Sequence, residues 1–97
     1  LFAEIDAAWA QAASISVISL EQRASLRLAA THTARTAADV VRVVQDLAGG
    51  ASVFLADPLH RRLSDAQVMT AHIMTAPATY ELTGRALLGV PVSAAEL

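Results

Sequence analysis

A helix start and a helix stop lie 29 residues apart in this chain, and nothing constrains its fold more. "SLEQ", from Ser19 to Gln22, is a capping box: the Ser19 hydroxyl can accept from the Gln22 amide, and the Gln22 side chain can reach back to Ser19. The helix it opens should run to Ala48 and stop at Gly49-Gly50, where a left-handed residue costs glycine little. That predicts ~43 Å of helix at ~1.5 Å per residue. Leu26, Ala30, Thr33, Ala37, Val40, Val44 and Leu47 recur at helical spacing and should form the seam of an antiparallel bundle. The opposite face carries His32, Arg35, Asp39, Arg42 and Asp46. It reads as a solvated stripe with weak ion pairs, or as a face turned to a neighbouring subunit.

Shorter helices flank this rod. Residues 1–15 place Leu1, Ile5, Ala8 and Ala12 on one face, and the serine and β-branched alternation of "SISVIS" (14–19) ends that helix. "ASVFLA" (51–56) is an apolar connector that should pack on something. A third helix begins with Asp57 as N-cap and Pro58 at its first position, with Leu59, Leu63, Ala66, Thr70 and Ile73 as its core stripe, and it ends before Pro77. The fourth opens at Pro77 and closes at Gly89, with Glu81 and Arg85 as an i,i+4 pair; the tail from Val90 should be irregular. The expected fold is all-α: one domain over residues 1–97, an up-and-down antiparallel helical bundle lacking its first helix.

Hydrophobic residues make up 55% of the chain and charged residues only 16%, which is apolar for a domain with so high a surface-to-volume ratio. Either much of the surface packs against a partner, or the chain is a piece of something larger. It begins at Leu1, which favours the second reading. A net charge of −2 gives no reason to expect nucleic acid or an anionic membrane as a partner. Without cysteine, disulfides, thiolate metal sites and cysteine nucleophiles are excluded. All seven basic residues are arginine, which reads as codon bias rather than chemistry. No apolar run reaches ~18 residues and the N-terminus lacks a basic start, so the expected location is cytoplasmic.

Few residues carry candidate chemistry. His32, His60 and His72 show no i,i+4 pairing, so no metal site is expected. Ser64, Asp65 and His72 suggest a hydrolytic triad, but Asp65 and His72 are separated by ~10 Å of helix and cannot touch. Gly49-Gly50 fits a helix C-cap, and equally permits close approach of the backbone to a ligand. His72 lies off the stripe that its own helix should bury. It fits a packed structural histidine, or one presented to another domain or a cleft.

The order of signals from Arg27 to Pro91 adds to this. "RLAA", "AGG", "PLHR", Asp65 with "HIM" seven residues on, and "APATYELTGRALLG" together resemble the C-terminal helical domain of the acyl-CoA dehydrogenase superfamily. The closest resemblance is to its flavin-dependent two-component monooxygenases. Residues 1–26 fit as the preceding helix. The resemblance implies an N-terminal helical domain, a β-barrel domain and this bundle, with FAD or FMN held between them in a homo-tetramer. Gly49 and Gly50 match paired glycines that approach the flavin nucleotide. Asp65 matches the aspartate of an "RD" pair, with Ser64 in place of its arginine. Related dehydrogenases carry their catalytic carboxylate where Ile73 stands, and isoleucine cannot abstract a proton. His72, one residue earlier, matches a histidine near the flavin ring and substrate. A ring with an ordinary pKa of ~6.5 can take a phenolic proton or hydrogen-bond an oxygen atom there.

The resemblance thus implies a monooxygenase domain that hydroxylates an aromatic or related small molecule with O₂ and reduced flavin from a separate reductase, His72 being catalytic. Two alternatives stand beside it: the same domain of an acyl-CoA dehydrogenase with its base elsewhere, and a non-catalytic helical association module.

Overall fold

The computed structural model describes residues 1–15, 17–50 and 58–97, and every described segment of regular structure is helical. The elements are α1 (Phe2–Ile15), α2 (Leu20–Ala48), α3 (Pro58–Ala71) and α4 (Ala78–Leu87), followed by a 3₁₀ turn at Ala94–Glu96. The connector 51–56 and the Asp57 cap fall outside the described residues.

α2 is the spine. The other three helices each pack on it and touch one another only marginally. Its length sets the long dimension of a body measuring 51 × 26 × 18 Å. The helix begins and ends where its signals place it. Ser19 Oγ accepts from the Gln22 amide at 3.1 Å. Gly49 adopts φ 72°, ψ −153°, and its N–H donates to the Gln45 carbonyl.

Only half of the expected capping box forms, because α1 competes for its parts. The Ser19 N–H donates to Gln11 Oε1 at 2.7 Å, and Gln22 Nε2 reaches across to the Glu4 carbonyl and carboxylate at 3.4 and 3.3 Å. Two glutamines thereby stitch the α1–α2 elbow, while Ala8 is the buried contact of α1.

The seam of α2 departs from the predicted one: Leu26 and Ala30 are half-buried as expected, but the buried residues lie on another face. Ala24, Thr31 and Ala34 are buried, and Leu28, Ala38 and Val41 are half-buried on the same side. Relative to the expected set, the centre of this face is turned by roughly 140° around the helix. Val40 and Val44 are largely exposed, and Leu47 is 83% exposed. Physical size explains the difference. Small side chains at a crossing let helix backbones approach closely, and a threonine can be buried there if its hydroxyl finds a carbonyl. Thr31, Thr79 and Thr83 are the largest fully buried side chains among the described residues.

α3 also ends earlier than expected, at Ala71, and residues 72–77 form turns. Leu59, Leu63, Ala66 and Thr70 do face inward, but Ile73 lies beyond the helix, loses helical spacing and is 76% exposed. In α4 the Glu81–Arg85 pair is replaced: Arg85 Nη2 donates to the Pro91 carbonyl at 3.4 Å. The tail has no regular structure from Val90 to Ser93, as expected, and then forms a short 3₁₀ turn. Ser93 and Glu96 close a capping box around the 3₁₀ turn, and Arg27 donates to the Glu96 carbonyl.

The chain exposes 6516 Å². A self-contained monomer of 10.1 kDa is expected to expose about 5,300 Å². Three helices leaning on one rod, without closing on each other, account for the excess.

Candidate functional site

The turn between α3 and α4 gathers the chain's most specific side-chain chemistry. α3 stops at Ala71, and a tight turn follows, in which the His72 N–H donates to the Met69 carbonyl at 3.3 Å and the Thr75 N–H to the His72 carbonyl at 2.9 Å. Thr75 Oγ1 donates to the Met69 carbonyl at 2.6 Å, so one side chain serves as the C-terminal cap of α3. His72 is exposed at the surface of this turn.

The orientation of its ring is fixed by the backbone. The Met74 N–H donates to His72 Nδ1 at 3.1 Å. A neutral imidazole that accepts at Nδ1 carries its hydrogen on Nε2. The exposed ring is therefore arranged as a hydrogen-bond donor at Nε2. Acting as a base through Nε2 would require the proton on Nδ1, against the Met74 N–H.

Two further elements hold this turn. From α2, Thr31 Oγ1 donates to the Met74 carbonyl at 3.1 Å and Arg27 Nη2 to the Ile73 carbonyl at 3.5 Å. From α4, Thr79 Oγ1 donates to the same Met74 carbonyl at 3.4 Å. Sequence reasoning passed over all three. Arg27 stands in the "RLAA" signal, but nothing in local pattern tells a threonine that bonds a distant carbonyl from one facing water.

Other predicted site residues lie elsewhere. From Thr31, beside the turn, to Gly49 is 18 residues of α2, about 27 Å. His72 and the Gly49-Gly50 pair thus do not share one pocket. Both glycines are exposed, and no described atom would lie within 4 Å of a Cβ added to either. Asp65 is held by Arg61 at 3.8 Å in an exposed i,i+4 pair within α3. It makes no triad with Ser64 and His72. The charge stripe of α2 shows one ion pair, Arg42–Asp39 at 3.3 Å, and its Arg35 and Arg42 border a polar groove with Gln67 and Thr70 of α3. Among the described residues there is no cluster of three metal-ligating side chains, and no helix is long and apolar enough to cross a membrane.

Comparison with known proteins places this arrangement. Residues 1–77 match the model of the acyl-CoA dehydrogenase C-terminal domain. The chain is 34% identical over 88 residues to an indole-3-acetate monooxygenase of Pseudomonas putida, covering 91% of this chain and 23% of that protein. It is 33% identical over 86 residues to an indole-3-acetate monooxygenase of Acinetobacter baumannii, covering 89% of this chain and 22% of that protein. The chain spans less than a quarter of the length of these curated relatives.

Proposed function

The chain belongs to the acyl-CoA dehydrogenase C-terminal domain family, and from that membership we propose that it is the C-terminal helical domain of a flavin-dependent monooxygenase acting on an aromatic small molecule. The observation that carries this reading is the pairing at positions 72 and 73. Ile73, where the resemblance sets a dehydrogenase base, has no group that can take a proton. The ring of His72 beside it is arranged to donate a hydrogen bond. The two indole-3-acetate monooxygenases that match about nine-tenths of the chain favour an aromatic, carboxylate-bearing substrate.

The proposed cofactor is a reduced flavin, FAD or FMN, supplied by a separate reductase, and the assembly is a homo-tetramer. When bound, the flavin supplies two electrons, so that one atom of O₂ enters the substrate and the other leaves as water. The residues present are compatible with such a group. Gly49 and Gly50 carry no side chain, and no described atom would meet a Cβ added to either, which suits close approach by a nucleotide. His72 offers Nε2–H to an acceptor oxygen. The length of α2 from Thr31, beside the His72 turn, to Gly49, about 27 Å, suits an extended ligand, or ligands on two subunits, better than a single compact one.

In this reading His72 holds an oxygen atom in place by donation. The test uses the full-length polypeptide with a flavin reductase, NADH and O₂, and indole-3-acetate as the first probe. His72→Ala should lower the hydroxylated product formed per flavin oxidised and raise hydrogen peroxide release. His72→Gln, which keeps a donor but no base, should retain more of that coupling than alanine does. Equal coupling in wild type and His72→Ala would remove the role. Bleaching of the oxidised flavin by an acyl-CoA in the absence of O₂ would replace this reading with the dehydrogenase one.

A further inference from the structure

We infer that Arg27 and Thr31 are positioning residues that fix the tautomer of His72. The inference rests on the reading of His72 as a donor, and the geometry runs through two peptide groups. The peptide joining Ile73 to Met74 presents its carbonyl to Arg27 Nη2 at 3.5 Å and its N–H to His72 Nδ1 at 3.1 Å. A trans peptide is planar, with C=O and N–H pointing in opposite directions. Holding the carbonyl toward α2 therefore turns the N–H away from α2, onto the imidazole. The next peptide is held in the same way. Its carbonyl, that of Met74, accepts from Thr31 at 3.1 Å and from Thr79 at 3.4 Å, while its N–H, that of Thr75, donates to the His72 carbonyl at 2.9 Å.

These are cross-helix contacts, 46 and 43 residues apart in sequence, so the local turn does not supply them. Thr31 is fully buried, and its hydroxyl makes its bond away from water. Arg27 also donates to the Glu96 carbonyl, which ties the C-terminal turn to the same anchor. α2 thereby acts as the rail on which the histidine's hydrogen-bonding direction is set. Without that hold, the peptide can rotate, Met74 N–H leaves Nδ1, and the ring is free to carry its hydrogen on either nitrogen.

The measurement is the pair of ¹⁵N chemical shifts of the His72 ring in the full-length protein labelled at histidine. It is made at about pH 8.5, well above the ordinary imidazole pKa of ~6.5. The signals are assigned by their loss in His72→Gln. Wild type should show one tautomer, with hydrogen on Nε2. Thr31→Val and Arg27→Met should each weaken that preference by about fivefold, the bias that one net hydrogen bond supplies, and Thr31→Ser should restore it. Coupling of flavin oxidation to hydroxylation should fall in Thr31→Val, and Thr31→Val should cause no further loss in a His72→Ala background. A single Nε2–H tautomer retained in both Thr31→Val and Arg27→Met overturns the inference. Unchanged coupling in His72→Ala overturns the catalytic reading instead, and the ring shifts still decide the positioning.

Discussion

Gly49 and Gly50 are adjacent, yet replacing each by alanine should have opposite effects. Gly49 sits at φ 72°, ψ −153°. A side chain there is strained whatever the surrounding space, because Cβ collides with its own backbone in a region that only glycine visits freely. The cost should be ~1–3 kcal/mol. Its N–H also closes the last turn of α2 on the Gln45 carbonyl, so the strain falls on the helix terminus itself. Gly50 is not among the positive-φ glycines, and no described atom would meet an added Cβ. Alanine there removes freedom from the unfolded chain and should leave stability unchanged or raise it by up to ~1 kcal/mol. Urea unfolding of the full-length protein without flavin, followed by far-ultraviolet circular dichroism, checks both. Equal losses in the two variants would refute the conformational reasoning. The same pair then tests the cofactor role. If a nucleotide lies against the bare backbone of Gly50, Gly50→Ala should weaken flavin binding severalfold with stability intact. Unchanged binding would leave the pair as a helix stop and nothing more.

Four other outcomes follow from the packing. Gln22→Leu removes the two bonds to Glu4 and should cost about 1 kcal/mol, measured by urea unfolding. Gln11→Leu should cost a similar amount, because it leaves the Ser19 N–H without its partner at the helix start. Asp65→Asn should change stability by less than about 0.5 kcal/mol, since both partners of its ion pair are largely exposed; a larger loss in the complete protein would show that Asp65 has a partner outside this chain. Ser93→Ala should speed amide hydrogen exchange at Ala95, whose N–H it caps at 3.2 Å, by about fivefold.

The helices were legible because their boundaries are written in local chemistry. Ser19 and Gly49 frame α2 through groups that act within four residues, and Pro77 marks the entry to α4. The seam of α2 was not legible for the same reason in reverse. Reading it from the larger apolar residues selected Val40, Val44 and Leu47, whereas contact distance between backbones selected Ala24, Thr31 and Ala34. Periodicity gives the spacing of a face, but two faces of α2 share that spacing, and only the packing partner chooses between them. The partners of the glutamines were hidden likewise. "SLEQ" states what Gln22 can do within its own helix and is silent about Glu4, 18 residues away. At the candidate site, His72 was visible through its place beside Ile73, and its hydrogen-bonding state was not. That state depends on Arg27 and Thr31, more than 40 residues away.

The two faces of α2 are the clearest link between this fold and the proposed enzyme. The buried face accepts α3 and α4 with alanines and a threonine, and so brings the His72 turn close to the rod. The other face keeps Val40, Val44 and Leu47 at seam spacing and leaves them in water. Solvated valines and leucines gain nothing from a seam repeat, and a chain about 1,200 Å² more exposed than its mass predicts is not closed by its own helices. In the proposed enzyme these faces are where the remaining domains and neighbouring subunits pack. The same absence of cover explains the exposure of His72. Its ring is held at Nδ1 by the Met74 N–H and is exposed among the described residues. A donor in water competes with solvent and orders nothing, so His72 gains its chemical value only where another surface excludes water from Nε2. On the proposed reading the domain contributes an oriented donor, and the pocket that would use it is completed by other parts of the assembly.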